Sequence, residues 1–368
     1  MSLNSIKGDE IIELIKGLVG VKNTQVLGLD IGLSQVKMAN VIPTGNGYKL
    51  TRYVALPLPE ATLIEDEIQK EEELKQTIVN CLEEIDGKNK QICLGLFGPN
   101  SVVRKIQLPG GSEEEIEDQV LWEAEQYLPF PVDESNIDQY IIGENAGGGV
   151  DVVVGAARQD MLLTYKGLVE DAGAKVKIVD LSAIALSNIF EFTMADEIQA
   201  NENSSWLILD LGAQKTICII YKDGMPMFIK EIQIGGVMIT EEIQRQLGVN
   251  YQEAEDLKTI VDENGNLPEE ISTIIRDLST KFISEIKKVI EFYVTSTSDD
   301  SLIGCYVTGG SVQLPGILEG ITESLGIDVS ILNPFRVLEV DKSFSEEELS
   351  EIAYTGCIAI GLGMRQVK

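Results

Sequence analysis

Apolar and polar positions along this chain fall into one pattern twice. Val26 to Val41 reads VLGLDIGLSQVKMANV, and Trp206 to Tyr221 reads WLILDLGAQKTICIIY. Each copy is an apolar run ending in Asp-hydrophobic-Gly, then a short polar break and a second run rich in β-formers. That pattern predicts strand, tight turn, strand, with Asp30, Ile31 and Gly32 at the first turn and Asp210, Leu211 and Gly212 at the second. Gly47 to Leu56 alternates as a third strand would. Pro226 to Ile234, after the turn Lys222-Asp223-Gly224, does the same in the second copy. The chain therefore repeats a three-stranded meander.

Between the copies, Leu74 to Ile85 predicts an amphipathic helix, and its acidic lead-in Glu65 to Glu73 suits a solvated helix start. Gln91 to Phe97 and Val102 to Leu108 read as strands. Ser112 with Glu115 forms a capping box opening a helix through Glu125, which Pro129-Phe130-Pro131 ends. Asp138 to Gly143 and Val150 to Ala156 are strands joined across Gly147 to Gly149. A helix from Gln159 to Ala172 then leads into the strand Lys175 to Val179. Order and size predict a small α+β subdomain inserted into the first domain.

A helix is expected over Asp180 to Phe192, and Asp196 to Ser205 reads as a polar linker. Beyond the second meander, Gly235-Gly236 starts the helix Ile239 to Leu247; Tyr251 to Val261 and Glu269 to Ser296 add two more. The last carries a core stripe that includes Ile274, Phe282, Ile286 and Tyr293. Leu302 to Val307 is a strand running into Thr308-Gly309-Gly310-Ser311, a glycine turn before a helix. A helix from Gly316 to Leu325 and the strand Val329 to Leu332 come next. The small-residue helix Ser350 to Gly363 is expected to pack back across the domain base. At the other end, residues 8–20 have one apolar helical face. Their acidic polar side favours a helix folded onto its own domain over a membrane-surface or docking helix.

Length and composition narrow this picture. The 368 residues suffice for two core-bearing domains, and 44% hydrophobic with 24% charged residues is ordinary for a globular protein. Acidic residues outnumber basic ones 60 to 29, a formal charge of −31, which repels nucleic acid and anionic lipid. A bound nucleotide would need local donors and a metal ion. The chain has no His, which removes Ser-His-Asp, Cys-His and His-zinc sites. Cys81, Cys93, Cys218, Cys305 and Cys357 are far apart and form no C-x-x-C, as expected of buried reduced thiols in the cytoplasm. No apolar run reaches about 18 residues, and no secretory signal is seen, so a soluble cytoplasmic protein is expected.

Three glycine turns now stand at strand ends. Gly admits positive φ, so such turns can leave backbone N–H groups clustered as an anion-binding nest. Either Asp-x-Gly alone fits an ordinary hairpin. Two in matching context, each with a carboxylate, suit a polyphosphate with a divalent cation. The third turn, Gly309 to Ser311, would let the backbone approach a flat group such as adenine. Lys37 is placed either to lean over phosphates or to serve as a plain surface-strand lysine.

This constellation resembles the actin-like ATPase superfamily, which includes actin, hexokinase and FtsA. Within it, the chain from about Val26 onward is similar to the PilM family of type IV pilus assembly proteins. The similarity rests on LDIGLSQVKMANV, on residues 102–134, 152–188 and 232–248, and on VTGGSVQLPGILEGI at 307–321. WEAEQYLPFP, Trp122 to Pro131, is the most family-specific stretch; on composition alone it is a helix packing Trp122 and Tyr127.

The resemblance implies an α/β fold of two actin-like, RNase H-type domains around a nucleotide cleft, with a small inserted α+β subdomain. Residues 1–88 with 170–200 would form the first domain, 89–169 the insert and 201–368 the second domain, helical over about 237–300. ATP or ADP with Mg²⁺ would occupy the cleft. Asp30 and Asp210 would face Mg²⁺ mainly through water, and Gly32, Leu33, Ser34, Lys37, Gly212, Ala213 and Thr216 would surround the phosphates. Gly235, Gly236, Gly309, Gly310 and Ser311 would line the nucleotide. Glu255 and Lys258 would clasp ribose and adenine, with a solvated i,i+3 ion pair as the plainer alternative.

The implied partner is the cytoplasmic N-terminal segment of the inner-membrane protein PilN, received between the first domain and the insert. That would recruit the chain to the inner face of the cytoplasmic membrane without direct insertion. Other pilus-motor proteins and a homodimer stay open, nucleic acid is not expected, and the partner-contacting residues are unassigned. Two departures predict ATP binding with slow or no hydrolysis. Leu33 replaces a hydroxyl in the first phosphate loop, and Ala213 and Ser182 stand where active relatives carry water-positioning side chains. The competing readings are an active ATPase or small-molecule kinase on the same fold and a membrane-tethered filament of the FtsA type. The short tail GLGMRQVK argues against the latter.

Overall fold

The computed structural model describes residues 24–45, 47–64, 67–85, 90–98, 100–145, 147–261, 266–297 and 299–367; the expected helix at 8–20 lies outside them. Strands β1 (Leu27–Ile31), β2 (Gln35–Thr44) and β3 (Gly47–Pro57) form the first meander, and α1 (Glu71–Glu84) returns the chain to β4 (Gln91–Leu96). An excursion through β5 (Ser101–Leu108), α2 (Glu113–Tyr127), β6 (Ser135–Glu144), β7 (Val150–Arg158) and α3 (Gln159–Asp171) ends at β8 (Lys175–Leu181). Helices α4 (Ser182–Thr193) and α5 (Ala195–Ala200) lead to the second meander, β9 (Ser205–Leu211), β10 (Thr216–Lys222) and β11 (Met225–Ile232). Then come α6 (Val237–Leu247), α7 (Tyr251–Leu257), α8 (Glu269–Thr297), β12 (Leu302–Thr308), α9 (Ile317–Leu325), β13 (Asp328–Ile331), α10 (Glu346–Thr355) and α11 (Cys357–Gly363).

The two sheets share one topology. Strand order is β8-β4-β1-β2-β3 in the first, with the two-residue strand Glu339–Val340 added parallel to β3 at its edge, and β13-β12-β9-β10-β11 in the second. In both, the meander is antiparallel and the last two strands run parallel to its first strand. Excursions leave at different points. A three-stranded sheet, β5-β7-β6, with α2 interrupts the first copy after β4, and the helices α6 to α8 interrupt the second after β11.

Side-chain alternation sets what each face meets. Leu27, Leu29 and Ile31 of β1 face an outer core with α1 and α3, and Leu207, Leu209 and Leu211 of β9 face another with α6 and α8. The opposite parity, Val26 in the first copy and Trp206 and Ile208 in the second, enters a core shared between the sheets with α4 and α11. Asp30 and Asp210 continue that inward row. Period two thus aims both carboxylates into the space between the lobes.

Some local expectations need correction. Pairing of Leu181 with Leu96 carries β8 past Asp180, so the next helix starts at Ser182. The polar stretch 196–205 is not all linker: α5 forms, Ile198 packs against the shared core and Glu197 pairs with Arg336 at 2.6 Å. The small-residue helix of 350–363 breaks at Gly356, where a Cβ would lie 2.8 Å from the Ile352 carbonyl oxygen; α11 alone packs on β1, β2 and α4. The Ser112–Glu115 capping box forms as its spacing predicts. Trp122 does not pack: it is 64% exposed, whereas Tyr127 lies under the Arg104 guanidinium.

Candidate functional site

A cleft of about 530 Å³ opens between the lobes, within the usual range for a small-molecule site. Its walls include Asp30, Gly32, Leu33, Ser34 and Lys37 from the first lobe, and Asp210, Gly212, Ala213 and Lys215 from the second. The two turns are built alike. The Gly32 amide donates to the Gln35 carbonyl at 2.9 Å, and the Gly212 amide donates to the Lys215 carbonyl at 2.9 Å. Those two amides are therefore spent inside their own turns. The amides of Leu33, Ser34 and Ala213 have no acceptor among the described residues and are backbone donors open to an anion.

The second turn is braced from behind. Gly236 donates to the Gly212 carbonyl at 3.1 Å, Val237 to the Ala213 carbonyl at 2.7 Å, and the Ser311 hydroxyl to the Gly212 carbonyl at 2.8 Å. Gly235 does not line the cleft. A Cβ there would sit 2.5 Å from the Ala213 carbonyl oxygen, so it serves this packing. Gly309 has φ of 97°, and a Cβ would meet the Leu211 carbonyl oxygen at 2.4 Å; only glycine lets the third turn come this close. Gly309, Gly310 and Ser311 all line the cleft, followed by the short 3-10 turn Gly310–Gln313 rather than directly by a helix.

Thr216, expected among the phosphates, is fully buried, and its hydroxyl donates to the Ile234 carbonyl at 2.9 Å. It pairs across the hairpin with Leu211, whose side chain faces the outer core, so parity turns Thr216 away from the cleft. Lys37 does line the cleft but lies 3.3 Å from Asp30 Oδ2. Burial opposes its charge, yet the negative field of Asp30, Tyr53 and Asp210 holds the ammonium above the ordinary lysine range. For Asp210, burial dominates over the opposing pull of Lys37 and lifts its carboxyl to about 6.

Lys258 and Glu255 form their pair at 2.7 Å on the cleft wall; Lys258 Nζ also donates to the Thr240 hydroxyl at 2.9 Å, which in turn bonds Glu255. Ser182, at the start of α4, also lines the cleft, 2% exposed with an Oγ that has no hydrogen-bond partner among the described residues. Lys215 and Phe97 were not singled out from sequence. Lys215 Nζ sits 4.2 Å above the Phe97 ring and 3.2 Å from Glu231 Oε2. Alignment of the repeats offered one signal, since Lys215 occupies the turn position of Gln35. No cluster of three or more acidic, His or Cys side chains that could hold a metal occurs among the described residues. Two carboxylates facing one cleft fit a divalent cation only if water or phosphate supplies the remaining ligands.

The family model for type IV pilus assembly protein PilM matches residues 28–367. The chain belongs to the PilM family. Among solved structures, this family member is similar to the PilM-PilN type IV pilus biogenesis complex. Identity is 27% and TM-score 0.81, over 93% of this chain and 98% of that one. It is also similar to the ethanolamine utilization protein EutJ from Carboxydothermus hydrogenoformans, at 16% identity and TM-score 0.51, over 95% and 98% of the two chains. That second likeness bears on the fold alone. With the duplicated sheets, these likenesses establish an actin-like fold. Among the described residues no helix is long and apolar enough to cross a membrane.

Proposed function

We propose that this PilM-family chain is a nucleotide-loaded scaffold of the type IV pilus assembly platform. The observation that carries this reading is the pair of homologous turns facing each other across the cleft, each with an inward carboxylate. ATP or ADP would sit there, its phosphates on the amides of Leu33, Ser34 and Ala213. Mg²⁺ would be held by Asp30 and Asp210 mainly through water and would neutralise phosphate charge. Gly236, Glu255, Lys258, Gly309, Gly310 and Ser311 would line the nucleoside. Ala213 and the short hydroxyl of Ser182 offer little to orient a water, which favours slow hydrolysis.

A PilN-like cytoplasmic N-terminal segment is the partner this reading favours, since PilN is the second component of the similar complex. The supporting feature is a groove of about 350 Å³ between two sheet edges, β6 of the insert and β8 of the first sheet. An extended peptide can add to such an edge, main-chain hydrogen bonds giving affinity and side-chain pockets specificity. Tyr140, 72% exposed, stands on one wall, and Asp180, paired with Arg365 at 2.6 Å, on the other. Recruitment to the inner face of the cytoplasmic membrane would follow from that contact.

Calorimetry with Mg-ATP, and then with a synthetic PilN N-terminal peptide, tests both halves. Saturable binding of each, with Tyr140→Ala weakening only the peptide, is expected. No Mg-ATP binding would overturn the nucleotide reading, and turnover of several per second would overturn the scaffold reading.

A further inference from the structure

Lys215 is the second turn's cation, and its partner reaches across the molecule. Glu231, on β11, accepts from Lys215 Nζ with Oε2 at 3.2 Å and from the backbone amide of Gly98 with Oε1 at 3.0 Å. Gly98 belongs to the first lobe. It lies just beyond β4, where the chain leaves the first sheet for the inserted one, at φ of 96°. The return crossing is tied to the same place, because the Arg158 amide donates to the Asn100 carbonyl at 2.9 Å and its guanidinium to the Asn100 side chain at 3.3 Å. β11 also packs against β5, the first strand of the insert. One carboxylate therefore joins the turn of the nucleotide cleft to the base of the insert.

Glu231 is only partly exposed, its side chain at 20%. A carboxylate in that position is stable because Lys215 compensates it; without the cation, hydration draws it outward. Among the described residues, this junction also holds the Phe97 ring under Lys215, the Gly98 amide and the Asp210 carboxylate, which feels both the Lys215 and the Glu231 charge. Leu96, Val103, Gly155 and Ala157, on both sides of this crossing, line the groove between β6 and β8. The way the insert is held at Gly98 therefore bears on residues that line the groove.

We propose that Glu231 is a relay between cleft and groove. A phosphate entering the cleft draws Lys215 away, Glu231 loses its compensating charge and releases Gly98, and the insert is freed to reset the groove. This rests on the nucleotide reading above and supplies its regulation. By reciprocity, a ligand of the groove and Mg-ATP change each other's Kd by one common factor.

Hydrogen-exchange mass spectrometry on peptides containing Gly98, with calorimetry of Mg-ATP and of inorganic tripolyphosphate, tests the relay. In the wild-type chain Gly98 should be protected alone and exchange about ten-fold faster or more with saturating Mg-ATP. Lys215→Gln, which copies the first turn, should expose Gly98 without any ligand and show no further change on adding Mg-ATP. Glu231→Gln keeps an acceptor for Gly98 but drops the charge. It should stay protected in both states and bind Mg-ATP about three- to ten-fold more tightly, because the Glu231 charge no longer competes for Lys215. Should Mg-ATP bind the wild-type chain with Gly98 exchange unmoved, or should Lys215→Gln stay protected, the relay is overturned while the nucleotide site stands. If neither Mg-ATP nor tripolyphosphate binds, the nucleotide reading fails and takes the relay with it.

Discussion

The two meanders agree in backbone and diverge in charge. Register makes the comparison position by position: Asp30 faces Lys37 across the first hairpin, and Asp210 faces Ile217 across the second. Asp30 therefore has a cation on the adjacent strand, and Asp210 has none there. The second lobe puts its lysine in the turn instead, at Lys215, and commits it to Glu231. One strand residue thus decides which carboxylate has a cation directly across its hairpin and which does not. Duplication supplied the frame, and substitution made the halves electrically unequal.

A second inequality sits two residues earlier in each strand, and it should give the largest effect. Gly28 in the first lobe corresponds to Ile208 in the second. A Cβ on Gly28 would lie 2.1 Å from the Ala359 carbonyl oxygen and 2.3 Å from the Gly363 amide, both backbone atoms of α11. Nothing flexible can yield there, so Gly28→Ala should cost about 3 kcal/mol or more, whereas Ile208→Val should cost about 1 kcal/mol. Urea midpoints of the two variants check this. Comparable losses would mean that α11 is not clamped on the first sheet as drawn.

Next in size is the charge asymmetry itself. Asp30→Asn strips the half-buried Lys37 of its nearest partner and should cost about 2 kcal/mol at neutral pH. Asp210→Asn should do the reverse. Burial raises the Asp210 carboxyl from 3.8 in isolation to about 6. Its stabilising contribution is thus complete below about 3.8 and fades as pH rises through about 6. Above that pH the ionised side chain is a cost, and removing it should stabilise by about 1 to 3 kcal/mol, a gain that vanishes near pH 4. Thermal melts of both variants between pH 4 and 8 separate the cases, and Ile217→Lys should bring the Asp210 carboxyl back down. Equal losses for both variants at pH 7.5 would erase the asymmetry.

Much of this frame was legible in the sequence. Apolar runs in VLGLDIG and WLILDLG marked both strands and both turns. The capping box at Ser112 and the turn at Asp223-Gly224, with φ of 51° and 78°, were equally local and equally visible. What escaped was set by sheet register and by contacts across lobes. Glu231 and Gly98 are 133 residues apart, and nothing near either one announces the other. Gly356 reads as a tolerated helix residue until Tyr53 and Ile352 are seen pressed against it. Trp122 reads as a packing residue on a helix, but the buried face of α2 is Ile116, Val120 and Ala124, and Trp122 falls outside it.

Thr216 was misplaced for a reason that parity exposes, and it gives the smallest and sharpest test. A hydroxyl just after a glycine turn has the right chemistry for a phosphate. Its cross-strand partner Leu211 points outward, however, and directly paired residues share a face. The equivalent residue in the first copy, Val36, is likewise buried in the outer core. Thr216→Val therefore copies the first lobe. It should leave Mg-ATP affinity within about two-fold and lower stability by about 1 kcal/mol, through the orphaned Ile234 carbonyl. Calorimetry and a urea melt on one sample read both numbers. A large loss of affinity with unchanged stability would mean that the Thr216 hydroxyl meets the nucleotide after all, and the parity shared by the two meanders would not decide which residues face the ligand.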